Sequence, residues 1–156
     1  MFAYFIFFFV ILCPQKNVSI MAITPYIHTV QYYECDPMGV LHHSNYVRIM
    51  EESRVEWMDQ MGFGYERMEA EGVVSPVTAV AVEYKRMAKF RDKIRVEIRV
   101  AELGAVRLKL QYQMFVGETL LTTASSMHCF LENGRPISLE RRFPEFYAAL
   151  SSCKVE

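Results

Sequence analysis

The residues best suited to chemistry lie between positions 32 and 46, in the stretch YYECDPMGVLHHSNY. A carboxylate, Asp36, opens a tight turn that contains Gly39, and two histidines, His42 and His43, follow the turn. Glycine lets a backbone approach a substrate closely, and a carboxylate can attack a carbonyl carbon or deprotonate water. The first N–H groups of a helix that starts here can hold an oxyanion. Such groups suit chemistry at a carbonyl carbon, while Asp36 before Pro37 also suits a plain turn residue, and the residues alone leave both open.

A helix is predicted to follow this turn, from about residue 44 to residue 61. Ser44 or Asn45 is expected to cap its start and Gly62 to end it. At 100° per residue its apolar side chains share one face: Tyr46, Ile49, Met50, Trp57 and Met61. Polar side chains fall on the opposite face: Arg48, Glu52, Glu56 and Asp59.

Most of the remaining chain has the alternating pattern of an antiparallel sheet with one buried and one wet face. Strands are predicted over residues 27–34, 77–86, 92–101, 106–114 and 119–131, with a brief last strand near Ile137. Turns are predicted at Gly104, Gly117 and Asn133–Gly134, and short helices over 65–71 and 143–150. One amphipathic helix can fill the concave face of such a sheet, so the predicted fold class is α+β.

The stretch YECDPMGVLHHSNYVRIMEESR resembles the hot-dog-fold acyl-CoA thioesterases, specifically the 4-hydroxybenzoyl-CoA thioesterase type. That family carries Asp-x-x-Gly, a His or Tyr seven positions after the Asp, and Asn-Tyr at the start of the central helix. The matching residues here are Asp36, Gly39, His43, Asn45 and Tyr46. The resemblance covers roughly residues 25–150. It implies a long central helix wrapped by a five- to six-stranded antiparallel sheet, and hydrolysis of an acyl-CoA thioester.

The resemblance also implies roles for individual residues. Asp36 would act on the thioester carbonyl as nucleophile or general base, and the backbone N–H of His43 would receive the carbonyl oxygen. The substrate-binding residues would be Gly39, His42, Asn45, Tyr46, Glu51 and Ser75, with Glu51 acting across a subunit interface. Plainer alternatives stay open, since the histidines suit a loop or cap, Glu51 suits an ion pair with Arg54, and Ser75 suits a strand start.

A basic cluster is the candidate site for the phosphates of CoA, which call for Lys or Arg near the site mouth. Its members are Lys85, Arg86, Lys89 and Arg91, with Arg107 on a neighbouring strand. Ordinary solvated surface charge is the alternative. The basic pair that the 4-hydroxybenzoyl enzyme carries after its next strand is replaced by Gly104 and Val106. This departure leaves both the CoA-binding mode and an aromatic acyl group open.

Other chemistry is less compatible with the residues. Zinc binding by histidines lacks a ligand spacing, among His28, His42, His43 and His128, and Cys35 lacks an activating partner as a nucleophile. We therefore expect no metal and no cofactor. The net charge of −1 argues against a nucleic-acid partner. The alternative functions are a hot-dog hydratase or dehydratase acting on acyl-CoA or acyl carrier protein, and a non-catalytic acyl-ligand binding module.

The first 20 residues differ from the rest of the chain. MFAYFIFFFVILC is an apolar run of about half a membrane span, and it lacks the basic start of a secretory signal. We interpret residues 1–20 as an apolar extension or misplaced start, with membrane contact only if the segment is real, and residues 21–156 as the hot-dog domain. Four widely spaced cysteines suit a reduced, cytoplasmic protein. Exposed sheet edges predict a homodimer or homotetramer.

Overall fold

The computed structural model describes residues 23–154, which form one antiparallel sheet around a long helix. Apart from one turn of 3-10 helix at Tyr32–Glu34, the helices and strands in chain order are β1 (Tyr26–Thr29), α1 (His43–Gln60), α2 (Tyr65–Ala70), β2 (Val73–Val74), β3 (Val77–Tyr84), β4 (Lys93–Leu103), β5 (Arg107–Val116), β6 (Thr119–Cys129), β7 (Leu131–Glu132), β8 (Arg135–Pro136), α3 (Leu139–Arg142) and α4 (Pro144–Ser152).

The main sheet has five strands in the order β1-β4-β5-β6-β3, and a small second sheet joins β2, β7 and β8. The predicted alternation holds in β5, where Leu108, Leu110, Tyr112 and Met114 are buried while Arg107 and Gln111 are exposed. The buried faces pack with the apolar face of α1 into one core. The four long strands β3–β6 were all predicted, with ends displaced by at most two residues.

Strand β3 forms one edge of the main sheet, and it is exposed along almost its whole length. Of its eight residues, only Val82 is partly buried, while Val80 and Tyr84 keep 43% and 48% of their surface accessible. A long apolar edge strand with free backbone groups is a template for pairing with another chain.

Helix α1 has the two faces that its sequence predicts, but its cap differs. All five predicted apolar positions are buried, and the four predicted polar positions are at the surface. The N-cap is His42, whereas Ser44 or Asn45 was expected. His42 has extended backbone angles, and its ring nitrogen Nδ1 accepts a hydrogen bond from the Ser44 N–H at 3.3 Å. An imidazole thus fulfils the role usually taken by a short polar side chain.

The first predicted strand, 27–34, is wrong in its second half. Strand β1 stops at Thr29 and the chain turns into the 3-10 helix. Glu34 causes this turn, because its carboxylate accepts a hydrogen bond from the Gln31 N–H at 2.7 Å and closes a capping box. Tyr32 and Tyr33, whose aromatic rings favoured a strand, are therefore not paired in a sheet.

Smaller differences concern the C-terminal part and the segment outside the described residues. The brief last strand predicted near Ile137 is present at Arg135–Pro136, and the short helix α3 was not predicted. Residues 1–20, interpreted above as an apolar extension, lie outside the described residues. Across positions 23–154, no helix combines the length and the apolar character needed to cross a membrane.

Candidate active site

The turn that carries Asp36 is held by its own backbone. The Asp36 N–H donates to the Val40 carbonyl oxygen, and the Gly39 N–H donates to the Asp36 carbonyl oxygen, each at 2.9 Å. Gly39 has a φ of +74°, which a side chain would strain. The Asp36 carboxylate is half-buried and accepts a hydrogen bond from the Met38 N–H at 2.8 Å through one oxygen, Oδ1. This contact fixes the carboxylate within the turn.

The start of α1 is tied to the residues just before that turn. The carbonyl oxygen of Glu34 accepts two hydrogen bonds of 2.9 Å, from the His42 N–H and from the side-chain nitrogen Nδ2 of Asn45. Glu34 and Asn45 are both buried. Since Glu34 precedes Asp36 by two residues, the carboxylate and the helix N-terminus are held as one unit.

One N–H group at the helix start has no partner within the described part of the chain. The Ser44 N–H donates to the His42 ring and the Asn45 N–H to the His42 carbonyl oxygen. The His43 N–H makes no hydrogen bond to any residue in 23–154. A free N–H at the positive end of a long helix is a ready donor to an anionic oxygen.

One tyrosine of the sheet supports the first turn of α1 and packs against Tyr46 of that turn. The hydroxyl of Tyr84, the last residue of β3, donates to the carbonyl oxygen of His43 at 2.9 Å. Its ring meets the Tyr46 ring edge to face, with 5.1 Å between centroids. Tyr46 is buried, and burial raises the pKa of its phenol. Sequence analysis missed Tyr84, although the alternation of β3 gives it the same sheet face as Val82.

The remaining predicted substrate residues do not all gather at this point. Glu51 is exposed on α1, about 12 Å along the axis from His43 at the usual rise of a helix. Ser75 precedes β3, whereas Tyr84 ends it, so Ser75 stands roughly 30 Å away at the usual strand rise. Within one chain Ser75 is therefore remote from Asp36, and Glu51 lies about two turns of α1 beyond the helix start.

The ion pair considered for Glu51 and Arg54 does not form. Arg54 is buried, 6% exposed, and its Nε donates to the Tyr65 hydroxyl oxygen of α2 at 2.8 Å. Within residues 23–154 its guanidinium has no carboxylate at ion-pair distance. The Arg54 side chain turns inward beneath the helix, while Glu51 points to solvent, which explains the wrong expectation.

Below α1 lies a buried polar cluster that the sequence did not reveal. The Tyr112 hydroxyl shares a hydrogen bond with Ser126 Oγ at 2.9 Å, and Ser126 Oγ shares one with His128 Nε2 at 2.6 Å. His128 is only 1% exposed. Burial, assisted by the positive charge of Arg54, lowers the pKa of His128 to about 4. The imidazole is therefore neutral in the folded protein near pH 7.

The predicted cations divide into two groups. Lys85, Arg86, Lys89 and Arg91 lie on the loop after β3, and this loop adjoins the Asp36 turn, because Val40 forms an antiparallel bridge with Lys89. Arg107 begins β5 and pairs with Cys129, near the opposite end of β3. The structure therefore brings four of the five candidate phosphate-binding cations together.

The histidines proposed as an alternative zinc site are spread over the fold. His28 Nε2 contacts Glu34 Oε2 at 2.9 Å, and His128 lies in the buried polar cluster. The rings of His42 and His43 contact each other, with centroids 4.0 Å apart. Among the described residues no group of three or more His, Cys, Asp or Glu side chains is arranged to hold a metal ion.

Cys35 was weighed above as a nucleophile. Its sulfur contacts the Gln31 carbonyl oxygen at 3.7 Å.

Comparison with known proteins finds a matching family model and similar curated sequences. The model of a family described as the thioesterase-like superfamily matches residues 30–150. A protein of Aquifex aeolicus (strain VF5), provisionally named an esterase, is 32% identical over 120 residues, 77% of this chain and 94% of that protein. A Bacillus subtilis (strain 168) protein, provisionally named acyl-CoA thioesterase YneP, is 30% identical over 128 residues, 80% of this chain and 93% of that protein.

Solved structures give the same result for the fold. The DHNA-CoA thioesterase from Staphylococcus aureus superposes with a TM-score of 0.77 at 32% sequence identity, covering 82% of this chain and 88% of that chain. A hypothetical protein from Thermus thermophilus has a TM-score of 0.77 at 31% identity, covering 83% and 98% of the two chains. The matched family region, residues 30–150, contains the Asp36 turn, α1 and all four long strands.

Proposed function

The chain belongs to the thioesterase-like superfamily, has its hot-dog fold and is a thioester hydrolase, and from this premise we propose that it hydrolyses an acyl-CoA thioester to a carboxylic acid and CoA. The reaction would occur between the Asp36 carboxylate and the backbone N–H of His43. The observation that carries the proposal is this free N–H at the start of α1, whose neighbours His42 and Asn45 are hydrogen-bonded to the carbonyl oxygen of Glu34, two residues before Asp36.

The proposed chemistry follows from the two groups. The thioester carbonyl oxygen accepts a hydrogen bond from the His43 N–H, and the helix dipole stabilises its developing negative charge. The Asp36 carboxylate either attacks the carbonyl carbon, forming an anhydride that water then cleaves, or removes a proton from an attacking water. In both routes the carbon–sulfur bond breaks and CoA leaves as its thiol after gaining a proton.

The thiol is proposed to be CoA on two grounds. The provisional name of the Bacillus subtilis relative refers to acyl-CoA and that of the Staphylococcus aureus enzyme to DHNA-CoA. Four cations also lie on the loop after β3, which is bridged to the Asp36 turn through Lys89 and Val40. The acyl group is to be determined with a panel of butyryl, benzoyl and long-chain CoA esters.

A second copy of the chain is proposed to complete each site. Antiparallel pairing of β3 with its counterpart would bring Ser75 of one copy beside Tyr84 of the other, because these residues flank opposite ends of β3. It would also set the exposed Glu51 of one α1 near the neighbouring copy. This arrangement accounts for both residues without requiring either to reach the Asp36 turn in its own chain.

The decisive experiment replaces Asp36 by Asn, which retains the oxygen that accepts from Met38 N–H but removes the charge. We expect kcat for release of free CoA thiol to fall at least about 100-fold, about 2.7 kcal/mol of transition-state stabilisation. Asp59→Asn, the same change on the exposed face of α1, is the matched control and should retain activity. A folded Asp36→Asn protein with near-wild-type turnover would refute the mechanism.

A further inference from the structure

The loop over residues 85–92 is hydrogen-bonded to residues on both sides of the Asp36 turn. The Leu41 N–H donates to the Ala88 carbonyl oxygen at 2.9 Å, and Ala88 is fully buried. On the other side, the Arg91 N–H donates to the Val30 carbonyl oxygen at 3.0 Å, and the Val30 N–H donates to the Asp92 carbonyl oxygen at 2.9 Å. These contacts tie the loop to both flanks of the catalytic turn.

On this anchored loop an aromatic pair is left at the surface. The ring of Phe90 meets the ring of Tyr32 edge to face, with centroids 5.7 Å apart. Phe90 is 43% exposed and Tyr32 is 79% exposed, so both rings offer free surface. The Arg91 guanidinium lies 5.1 Å from the Phe90 ring centroid. Paired exposed rings with a cation beside them are suited to stacking with a planar, anionic ligand.

The loop turns at Arg91, and two hydrogen bonds between Lys89 and Asp92 hold this turn. Arg91 has a φ of +71°, a conformation that side-chain-bearing residues rarely adopt. The Lys89 N–H donates to Asp92 Oδ2 at 2.7 Å, and the Asp92 N–H donates to the Lys89 carbonyl oxygen at 3.0 Å. Asp92 thus hydrogen-bonds to the loop backbone and forms no ion pair with Lys89 or Arg91.

The charge of the loop is unbalanced. Lys85 pairs with Glu83 at 2.7 Å. Arg86, Lys89 and Arg91 are exposed and form no ion pair with any residue in 23–154. Unpaired cations beside exposed rings match a ligand that carries both a purine base and several phosphates.

We infer that the Tyr32–Phe90 ring pair stacks with the adenine of the CoA substrate while Arg86, Lys89 and Arg91 bind its phosphates. This inference rests on the proposed function, since it assigns the nucleotide end of the thioester substrate to a place on this chain. The Val40–Lys89 bridge sets the ring pair next to the catalytic turn, and the pantetheine arm of CoA spans the interval between them.

Two substrates with the same acyl group separate nucleotide binding from chemistry. Acyl-CoA carries the nucleotide, and acyl-pantetheine has the same thioester without it. For Phe90→Ala we expect the KM for acyl-CoA to rise about tenfold, the typical loss for one base-stacking side chain, at unchanged kcat. The KM for acyl-pantetheine should not change. Phe90→Leu keeps the apolar volume without the ring and should behave in the same way.

The proposed phosphate contacts are tested separately by replacing Arg91. Arg91→Gln should raise the KM for acyl-CoA several-fold at low salt and less at high salt, because salt screens a phosphate contact. Two exposed residues serve as matched controls. Tyr33→Ala removes a ring that is 80% exposed next to Tyr32, and Arg135→Gln removes a cation from β8. Both should leave the KM for either substrate unchanged.

Binding of adenosine 3′,5′-bisphosphate, measured by calorimetry, is independent of thioester hydrolysis. Phe90-dependent binding of this nucleotide by a protein that hydrolyses no thioester would support the nucleotide site and refute the proposed function. Conversely, if both substrates were hydrolysed with the same KM by wild type and by Phe90→Ala, the proposed function would stand and the nucleotide site would be refuted. Equal increases in KM for acyl-CoA and acyl-pantetheine would also overturn the inference, since the ring would then act on the thioester end.

Discussion

The backbone of His43, and not its imidazole, is the group that the proposed reaction requires. The ring of His43 is exposed and contacts the His42 ring, whereas its N–H has no hydrogen-bond partner among residues 23–154. Side-chain and backbone roles can be separated here, because proline at the first helical position removes one N–H that the helix does not use. The preceding His42, with φ −62° and ψ 136°, already has the extended conformation that a following proline favours.

His43→Pro is therefore expected to fold but to lose about 100- to 1000-fold in kcat for thioester hydrolysis, the usual cost of one oxyanion donor. His43→Ala keeps the N–H and should retain activity within a few-fold. Circular dichroism verifies the fold, and thiol release measures the rate. If His43→Ala were as impaired as His43→Pro, the imidazole would be the functional group and the N–H assignment would be wrong.

At the same scale, local spacing predicts some site residues and not others. Asp36, Gly39 and His43 lie within eight consecutive positions, so one turn and one helix start are enough to bring them together. Tyr84 contacts the His43 carbonyl oxygen across 41 positions of sequence. That contact depends on the register of β3 against β6, which no local pattern specifies.

Among the elements, the helix α1 and the strands beneath it enclose charge that the hydrophobic pattern does not reveal. His128 occupies an inward position of β6 that alternation assigns to an apolar residue. His128 hydrogen-bonds with Ser126, and the positive charge of Arg54 on α1 helps to lower its pKa. The elements were predictable because their apolar periods are regular; the cluster was not, since it depends on which polar side chains find partners inside.

The depressed pKa of His128 makes stability depend on pH. Above about pH 6.5 the imidazole is neutral in both the folded and the unfolded chain. Between about pH 6.5 and 4 the unfolded chain binds a proton that the folded protein does not, so the unfolding free energy falls as the pH falls. The contribution is about 3 kcal/mol over this interval. Urea unfolding at a series of pH values measures it.

His128→Gln should flatten this part of the pH dependence, because glutamine can still hydrogen-bond with Ser126 but does not titrate. His43→Ala, which removes an exposed histidine, is the control and should keep the wild-type slope. Identical pH profiles for wild type and His128→Gln would show that another group controls acid stability.

At the scale of the whole molecule, the single sheet of this chain leaves β3 open. The order β1-β4-β5-β6-β3 places an eight-residue strand at the edge, with Val77, Val80 and Tyr84 exposed. That one sheet wraps a single long helix could be predicted, because one amphipathic helix has one sheet face to fill. Which edge another copy would use could not, because exposure of β3 becomes apparent only when the strand order is known.

We predict that two copies pair through β3 and that hydrolysis requires the pair. Val80 lies near the middle of β3, so Val80→Lys would set two like charges close together across an antiparallel β3–β3 pair. Light scattering at micromolar concentration should show a dimer, or a tetramer of dimers, for wild type and a monomer for Val80→Lys. The kcat/KM of the monomer should fall steeply, because Ser75 and Glu51 would no longer reach the site of another copy. Val106→Lys, at an exposed apolar residue beside β5, should change neither mass nor rate. A monomeric Val80→Lys protein with full activity would mean that one chain suffices for catalysis.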